Sequence, residues 1–414
     1  MKRVAFILIF LFIAVVACND SDTITPDQNQ TIPLTKAGTM IVEGSNDFTF
    51  SIFQELEAEY STENIFFSPL SMSVALSMAM NGANGETKQQ IKDVIDFDDY
   101  SDEEINEAFK SLQDAFTNLD DQVEFSLANS AWYKEEYELL NDYRNILSDY
   151  YYAEIAGLDF INSASVNIIN DWIAAATKDK IKDMINSLDP ATVLVLVNAI
   201  YFNGIWTYEF NKDDTYDGIF KGLNDERLNC KMMQSGKIKT KYIVDSEKSI
   251  AILRYGEGNF EMALYMPNNG ENIETTLNKL DASTLISLLS NATTDSVVVH
   301  MPKFKIETET ISIKEMLKNL GMEIPFTPVA DFSNIFGPGY SIFISDVLHK
   351  AFIEVNEEGT EAAAATVVIF IETSAGGDVI PVIQFNQPFI FFIREVSTGQ
   401  ILFAGKLVKP EFVQ

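Results

Sequence analysis

Apolar and polar positions divide the chain into stretches of different texture. After Met1-Lys2-Arg3 an uncharged apolar run extends from Val4 to Ala17, and from Asn19 to about Gly44 Ser, Thr, Asp and Gln take over without any sustained period. Periodic patterns begin at Asn46. Phe50, Ile52, Phe53 and Leu56 recur at helical spacing behind an Asn/Asp start and predict an opening helix to Tyr60. Ile65-Phe66-Phe67 predicts a short strand, and Pro69 then opens a buried helix that runs through small and apolar residues toward Gly82 and Gly85. Asn167 to Ser187 reads as helix with Trp172 and Ile173 facing inward, and Thr192 to Phe202 as a strand buried on both faces. Strands follow at Glu261 to Pro267, Val297 to Ile306 and Phe343 to His349, with a helix from Ser312 to Leu320. The apolar runs Phe389–Arg394 and Gly399–Gly405 predict a closing hairpin. Helices first and mixed sheet afterwards make an α+β fold.

The leading apolar run is too short to span a bilayer comfortably and reads as a signal peptide. Val15-Val16-Ala17-Cys18 resembles the bacterial lipobox, which implies acylation at Cys18 and a lipid anchor that does not span the membrane. Asn19, Asp20 and Asp22 resemble the surface-export signals of some lipoproteins, so the expected location is the outer membrane, with display at the cell surface and on the inner face both open. Residues 19–44 are then a flexible tether, able at full stretch to reach about 80 Å. From residue 45 to 414 no linker-like stretch interrupts the pattern, so a single domain is expected.

Composition narrows the function. Lys and Arg number 29 against 61 Asp and Glu, a formal charge of −32 that repels a phosphate backbone and excludes nucleic acid as a partner. Apart from Cys18 the only cysteine is Cys230, so no disulfide forms within the mature chain, and a monomer is expected. The two histidines, His300 and His349, both lie in runs that look like buried strands, where neither is free to take a proton as a triad requires. No metal-ligand spacing and no phosphate-cradling glycine motif occurs, so neither a metal nor a cofactor is expected, and no residue is singled out as catalytic.

Between Lys350 and Pro388 the pattern changes character. Strand-like Ala351-Phe352-Ile353-Glu354-Val355 leads into Glu357-Glu358-Gly359-Thr360-Glu361 and then Ala362-Ala363-Ala364-Ala365-Thr366. Alone, the alanines would make a good helix fragment. They are followed, however, by Val367-Val368-Ile369-Phe370-Ile371, which has no polar face, and by the polar, glycine-containing tip Glu372 to Asp378. Such a strand former is an aggregation hazard unless a sheet awaits it.

Glu358 to Thr366 resembles the hinge of an inhibitory serpin's reactive loop, and the resemblance extends from about Asn46 to the end. Asn64 to Pro69 with Ser71, then Met80 to Thr87, are similar to the family's core helix and the turn after it. Asn198 to Trp206 resembles the central strand of its large sheet, and Phe385 to Phe389 with Leu402 to Gly405 its closing strands.

The resemblance implies a suicide substrate: a protease cuts the loop, and the loop inserts as a new central strand, carrying the enzyme with it. Thr360, Ala362, Ala364 and Thr366 would point inward first, then Val368 and Phe370. Gly359 would supply the hinge's backbone freedom, with Glu357 and Glu358 left outside as its polar base. Ser68, Ser71, Asn198 and His349 correspond to the family's control point for sheet opening, and Trp206 to the aromatic residue near the point of first insertion.

The family's spacing places the scissile bond at Thr373-Ser374, and Thr373 would suit an elastase-like serine protease. Gly359 to Pro388 is long for the family, so Phe370 and Ile371 stay open as alternatives that would suit chymotrypsin-like or papain-like enzymes. The competing functions are a non-inhibitory serpin-fold binding protein at the cell surface and, from another class, a hydrolase.

Overall fold

The computed structural model describes residues 30–189, 191–268, 270–360 and 380–411. The leader with Cys18 and the loop from Glu361 to Asp378, including Thr373 and Ser374, lie outside the described residues.

The first half is helical: α1 (Lys36–Glu59), β1 (Ile65–Phe67), α2 (Pro69–Gly82), α3 (Gly85–Val94), α4 (Asp102–Thr117), β2 (Val123–Lys134), α5 (Asn141–Tyr151), β3 (Glu154–Leu158) and α6 (Ala164–Ala176). Strands then dominate: β4 (Leu194–Ile205), β5 (Tyr216–Lys221), β6 (Arg227–Gln234), β7 (Ile238–Val244), β8 (Lys248–Tyr255) and β9 (Phe260–Pro267). After two short helices come β10 (Thr293–Pro302), β11 (Phe304–Glu307), β12 (Ile311–Ser312), β13 (Leu348–His349), β14 (Phe352–Val355) and β15 (Gly359–Thr360). Beyond the loop lie β16 (Val382–Gln384), β17 (Phe389–Glu395) and β18 (Ile401–Leu407).

One sheet has ten strands, in the order β1-β18-β17-β9-β8-β7-β10-β6-β5 with β16 parallel to β10. The other has six, in the order β11-β14-β15-β4-β2-β3, antiparallel except where β3 joins β2. The two share a core: Phe202 of β4 meets Phe260 of β9 at 5.7 Å and Phe403 of β18 at 6.4 Å between ring centroids. Helix α2 packs on both β4 and β18. A helix between two sheets is buried all round, which is why Pro69 to Gly82 is small and apolar apart from Ser71, Ser73, Ser77 and Asn81, and only Ala75 escapes burial. The predicted closing hairpin is present, and Phe389 through Ile393 are buried on both faces of the sheet.

The structure corrects several expectations. The folded part begins before residue 45: Thr35 accepts a hydrogen bond from the Gly38 amide and starts α1 at Lys36, inside the stretch read as tether. Gly44 lies so close to Asp96 that a Cβ would strike its carbonyl, so this glycine reflects packing rather than looseness. Ahead of the helix, the Gln30 amide donates to Asn259 Oδ1 at 2.9 Å. Helix α6 stops at Ala176 rather than Ser187, because the Thr177 hydroxyl takes the Ile173 carbonyl and the Ile181 amide, and Lys178 and Asp179 turn to positive φ. Trp172 on that helix is half-buried. Only Leu348 and His349 of the stretch from Phe343 form strand, since the Ile344 amide goes to the Pro325 carbonyl instead of a ladder and Phe343 is exposed.

Candidate functional site

Between β14 and β4 the sheet holds a guest. The chain leaves β14 at Val355, reverses over Asn356 to Glu358, and returns as β15 between β14 and β4, with Gly359 opposite Ile205 and Thr360 opposite both Gly204 and Val355. Asn356 makes the reversal. Its side-chain oxygen accepts from the Glu358 and Gly359 amides at 3.0 and 3.3 Å, and its own amide donates to the Gly359 carbonyl at 3.0 Å.

Gly359 does not need positive φ here. A Cβ at this position would run into the Gly204 carbonyl and the Ile205 backbone, so glycine permits the close approach of two strands.

Trp206 holds the turn from the other side. Its backbone amide donates to the Glu358 carbonyl at 2.8 Å and its indole N–H to the Asn356 carbonyl at 2.9 Å. The indole lies 4.4 Å from the Tyr255 ring, nearly parallel to it, and the Tyr255 and Thr360 hydroxyls share a hydrogen bond of 2.6 Å. Burial drives the Tyr255 phenol's pKa far up, so it remains a neutral hydroxyl.

Glu357 and Glu358 are not outside, as the sequence suggested; both are buried. Glu357 accepts from the Thr215 hydroxyl at 2.8 Å and pairs with Lys303 at 2.9 Å. Burial raises its pKa, but the hydrogen bonds from Lys303 and Thr215 outweigh that and hold the carboxyl below its usual range. Glu358 pairs with Lys212. Desolvating a carboxylate is tolerable only when it is paired this way.

The residues expected to control sheet opening fall into two groups. Ser68 caps α2 by accepting from the Ser71 amide at 3.2 Å, donates to the Leu402 carbonyl at 2.7 Å, and gives its own amide to His349 Nε2 at 3.2 Å. Burial pulls the His349 pKa down to about 4, and its accepting Nε2 is that of a neutral ring. Asn198 joins a different chain. Its side-chain amide donates to Asn129 at 2.6 Å, Asn129 donates to the Tyr151 carbonyl at 2.7 Å, and the Tyr151 hydroxyl donates to Asn106, which exchanges hydrogen bonds with Asn81. This relay links the six-stranded sheet to α5, α4 and α2.

Sequence reasoning missed Asn129, although an Asn between Leu127 and Trp132 in a strand otherwise made for burial was a legible signal. Tyr255, Lys303, Lys212 and Thr215 gave no signal, because each lies far along the chain from the hinge it holds. Among the described residues no group of three or more His, Cys, Asp or Glu could hold a metal ion.

The result is a six-stranded sheet in which the two residues of β15 separate β14 from β4. The chain belongs to the serpin family. The family model, Serpin (serine protease inhibitor), matches residues 43–410. Leukocyte elastase inhibitor A of Mus musculus is 36% identical over 377 residues, covering 88% of this chain and 97% of that protein. Tengpin, a thermophilic serpin solved in the native state, superposes with a TM-score of 0.82 at 30% identity, covering 92% of this chain and 96% of its own. Human thyroxine-binding globulin complexed with its ligand gives the same TM-score of 0.82 at 27% identity, with 91% and 100% coverage. Serpins are in general protease inhibitors, so the family alone sets the broad class, and the similar proteins include a thyroxine-binding globulin as well as a leukocyte elastase inhibitor.

Proposed function

We propose that this serpin is an inhibitor, not an enzyme, and acts as a suicide substrate on elastase-like serine proteases. The observation that carries the reading is the hinge: Gly359 and Thr360 already occupy a strand position between β4 and β14, with Thr360 only 3% exposed. Continuing the period of two, the next inward side chains are Ala362, Ala364 and Thr366, all small, followed by apolar Val368 and Phe370. An inserting strand meets least resistance where its first inward residues are small. Cleavage at Thr373-Ser374 frees the strand, which displaces the β14–β4 gap downward from Thr360 and carries the acylated protease along. Ser68, Ser71 and His349, with Asn198 on its separate relay, are the contacts that give way as the sheet opens. Mouse leukocyte elastase inhibitor A, by its name, supports the choice of target. Lipid attachment at Cys18 would place the inhibitor on the outer membrane as a surface-displayed monomer.

A second reading, a non-inhibitory binding protein, draws on the likeness to thyroxine-binding globulin. Mixing the full-length protein with an elastase and running a denaturing gel separates the two. A stable band at the summed mass, with the cut mapped to Thr373-Ser374, is expected. Clean loop cleavage without a covalent band, across elastase-, chymotrypsin- and papain-like enzymes, overturns the inhibitor reading in favour of the binding protein.

A further inference from the structure

Beside the hinge, on the ten-stranded sheet, lies a cleft of about 290 Å³. Trp206 and Tyr208 line one side, Ile252 of β8 is among its apolar walls, and Lys239, Lys241 and Arg254 supply three cationic side chains. The strand period explains the grouping. Ile238 and Thr240 are buried, so Lys239 and Lys241 alternate onto the other face of β7, and Arg254 of the neighbouring β8 reaches the same cleft. Arg254 has a partner of its own, but neither lysine ammonium has an ion pair or hydrogen bond among the described residues. Asp295, on the neighbouring β10, is in register with Thr240 and is not among the residues that line the cleft.

In a chain of net charge −32, where acids outnumber bases two to one, two adjacent lysines without an acidic partner are a departure that needs a cause. Apolar walls with a few convergent charged groups are how small-ligand sites are built. We infer that this cleft binds a small organic anion, a carboxylate or sulfate carried on an apolar body, and that its occupant steadies the hinge. A long polyanion is disfavoured by the same negative charge that repels nucleic acid.

The link to the hinge is Trp206, which lines the cleft while donating to Asn356 and Glu358 and stacking on Tyr255, the partner of Thr360. An occupant packed against Trp206 restricts the rearrangement that the hinge must make, by differential binding to the resting state. The consequence for inhibition rests on the proposed function, whereas the binding itself does not.

The probe is 2-naphthalenesulfonate, titrated calorimetrically into the full-length protein. One equivalent is expected to bind, about tenfold more weakly to the Lys239→Gln/Lys241→Gln double variant, as the loss of one exposed and one half-buried charge contact implies. Neutral 2-naphthalenemethanol should not distinguish the two proteins. Equal affinity of the sulfonate for both proteins, or no saturable binding at all, overturns the site. Hydrogen exchange at the Gly359 and Thr360 amides should slow on adding the sulfonate to the parent protein and not to the variant; unchanged exchange with the site saturated overturns the coupling. Neither readout uses a protease, so failure to trap elastase counts against the proposed function alone.

Discussion

The hinge and the closing hairpin β17–β18 are both buried, yet they are held by different forces. Around Asn356 to Thr360 the contacts are hydrogen bonds and ion pairs from Trp206, Tyr255, Thr215, Lys303 and Lys212. Around β17 and β18 aromatic rings predominate, with Phe392 on Phe50 at 5.6 Å, Phe66 on Phe403 at 5.2 Å and Phe391 on Phe304 at 5.4 Å, beside the ion pairs Arg394–Glu261 and Lys406–Glu57. Polar contacts are discrete and can be exchanged for others of the same kind, while a close-packed apolar core loses energy for any displacement. The hinge is therefore held largely by exchangeable bonds and the hairpin largely by packing, the arrangement expected if the hinge is the part that rearranges in the proposed mechanism.

Replacing Thr360 with Arg breaks this comparison most severely. Thr360 sits between two strands beneath Tyr255, and an unpaired guanidinium buried there costs several kcal/mol. The hinge should be expelled and strand entry blocked at its first step. The expected result is near-complete conversion of inhibitor to substrate: the loop is cut, and the covalent band vanishes from the gel. A variant that traps protease as well as the parent would mean that insertion does not pass through this position.

How far these two regions were legible in sequence follows the same division. The hairpin was readable because Phe389 to Arg394 and Ile401 to Gly405 are local apolar runs joined by a turn. The small residues of the hinge were readable as a pattern, and Trp206 as a motif residue. The partners of the hinge were not, since Lys303 and Glu357, or Tyr255 and Thr360, meet only through the tertiary fold. The buried state of Glu357 and Glu358 was misjudged for that reason: two adjacent acids read as solvated until their lysines are placed beside them. The early start of α1 was missed for another. Residues 36–45 hold few large apolar side chains, and their burial depends on Gly44 fitting against Asp96 and on Ser45 accepting from the Gln400 side chain.

On the packed side, Phe392→Ala should remove a fully buried ring that meets Phe50 and Phe53 and destabilise the protein by about 3–5 kcal/mol. The measurement is the guanidinium midpoint, taken together with the outcome of protease trapping. Lower stability with the proportion of trapped to cleaved inhibitor preserved supports the division of labour. A changed proportion with unchanged stability would reverse it, because the hairpin would then be part of the moving machinery.

The smallest effect tests the boundary between the regions. His349 accepts from the Ser68 amide, and the Ser68 hydroxyl donates to Leu402 of β18, so this histidine is tied to the packed side, although the proposed mechanism counts it among the contacts that give way. Its pKa is pushed down to about 4 by burial, from an ordinary value of 6.5. The unfolded chain therefore binds the proton more readily than the folded one. The contribution is fully present above pH 6.5 and is lost as pH falls toward about 4, roughly 3 kcal/mol in all. Because many carboxylates titrate over the same range, the useful quantity is the difference between the parent and His349→Gln, which keeps an acceptor but has no proton to gain. Unfolding midpoints followed from pH 7 to pH 4 should fall more steeply for the parent by about that amount. Parallel curves would show that Ser68 does not depend on a neutral imidazole, and would remove His349 from the contacts that release the sheet.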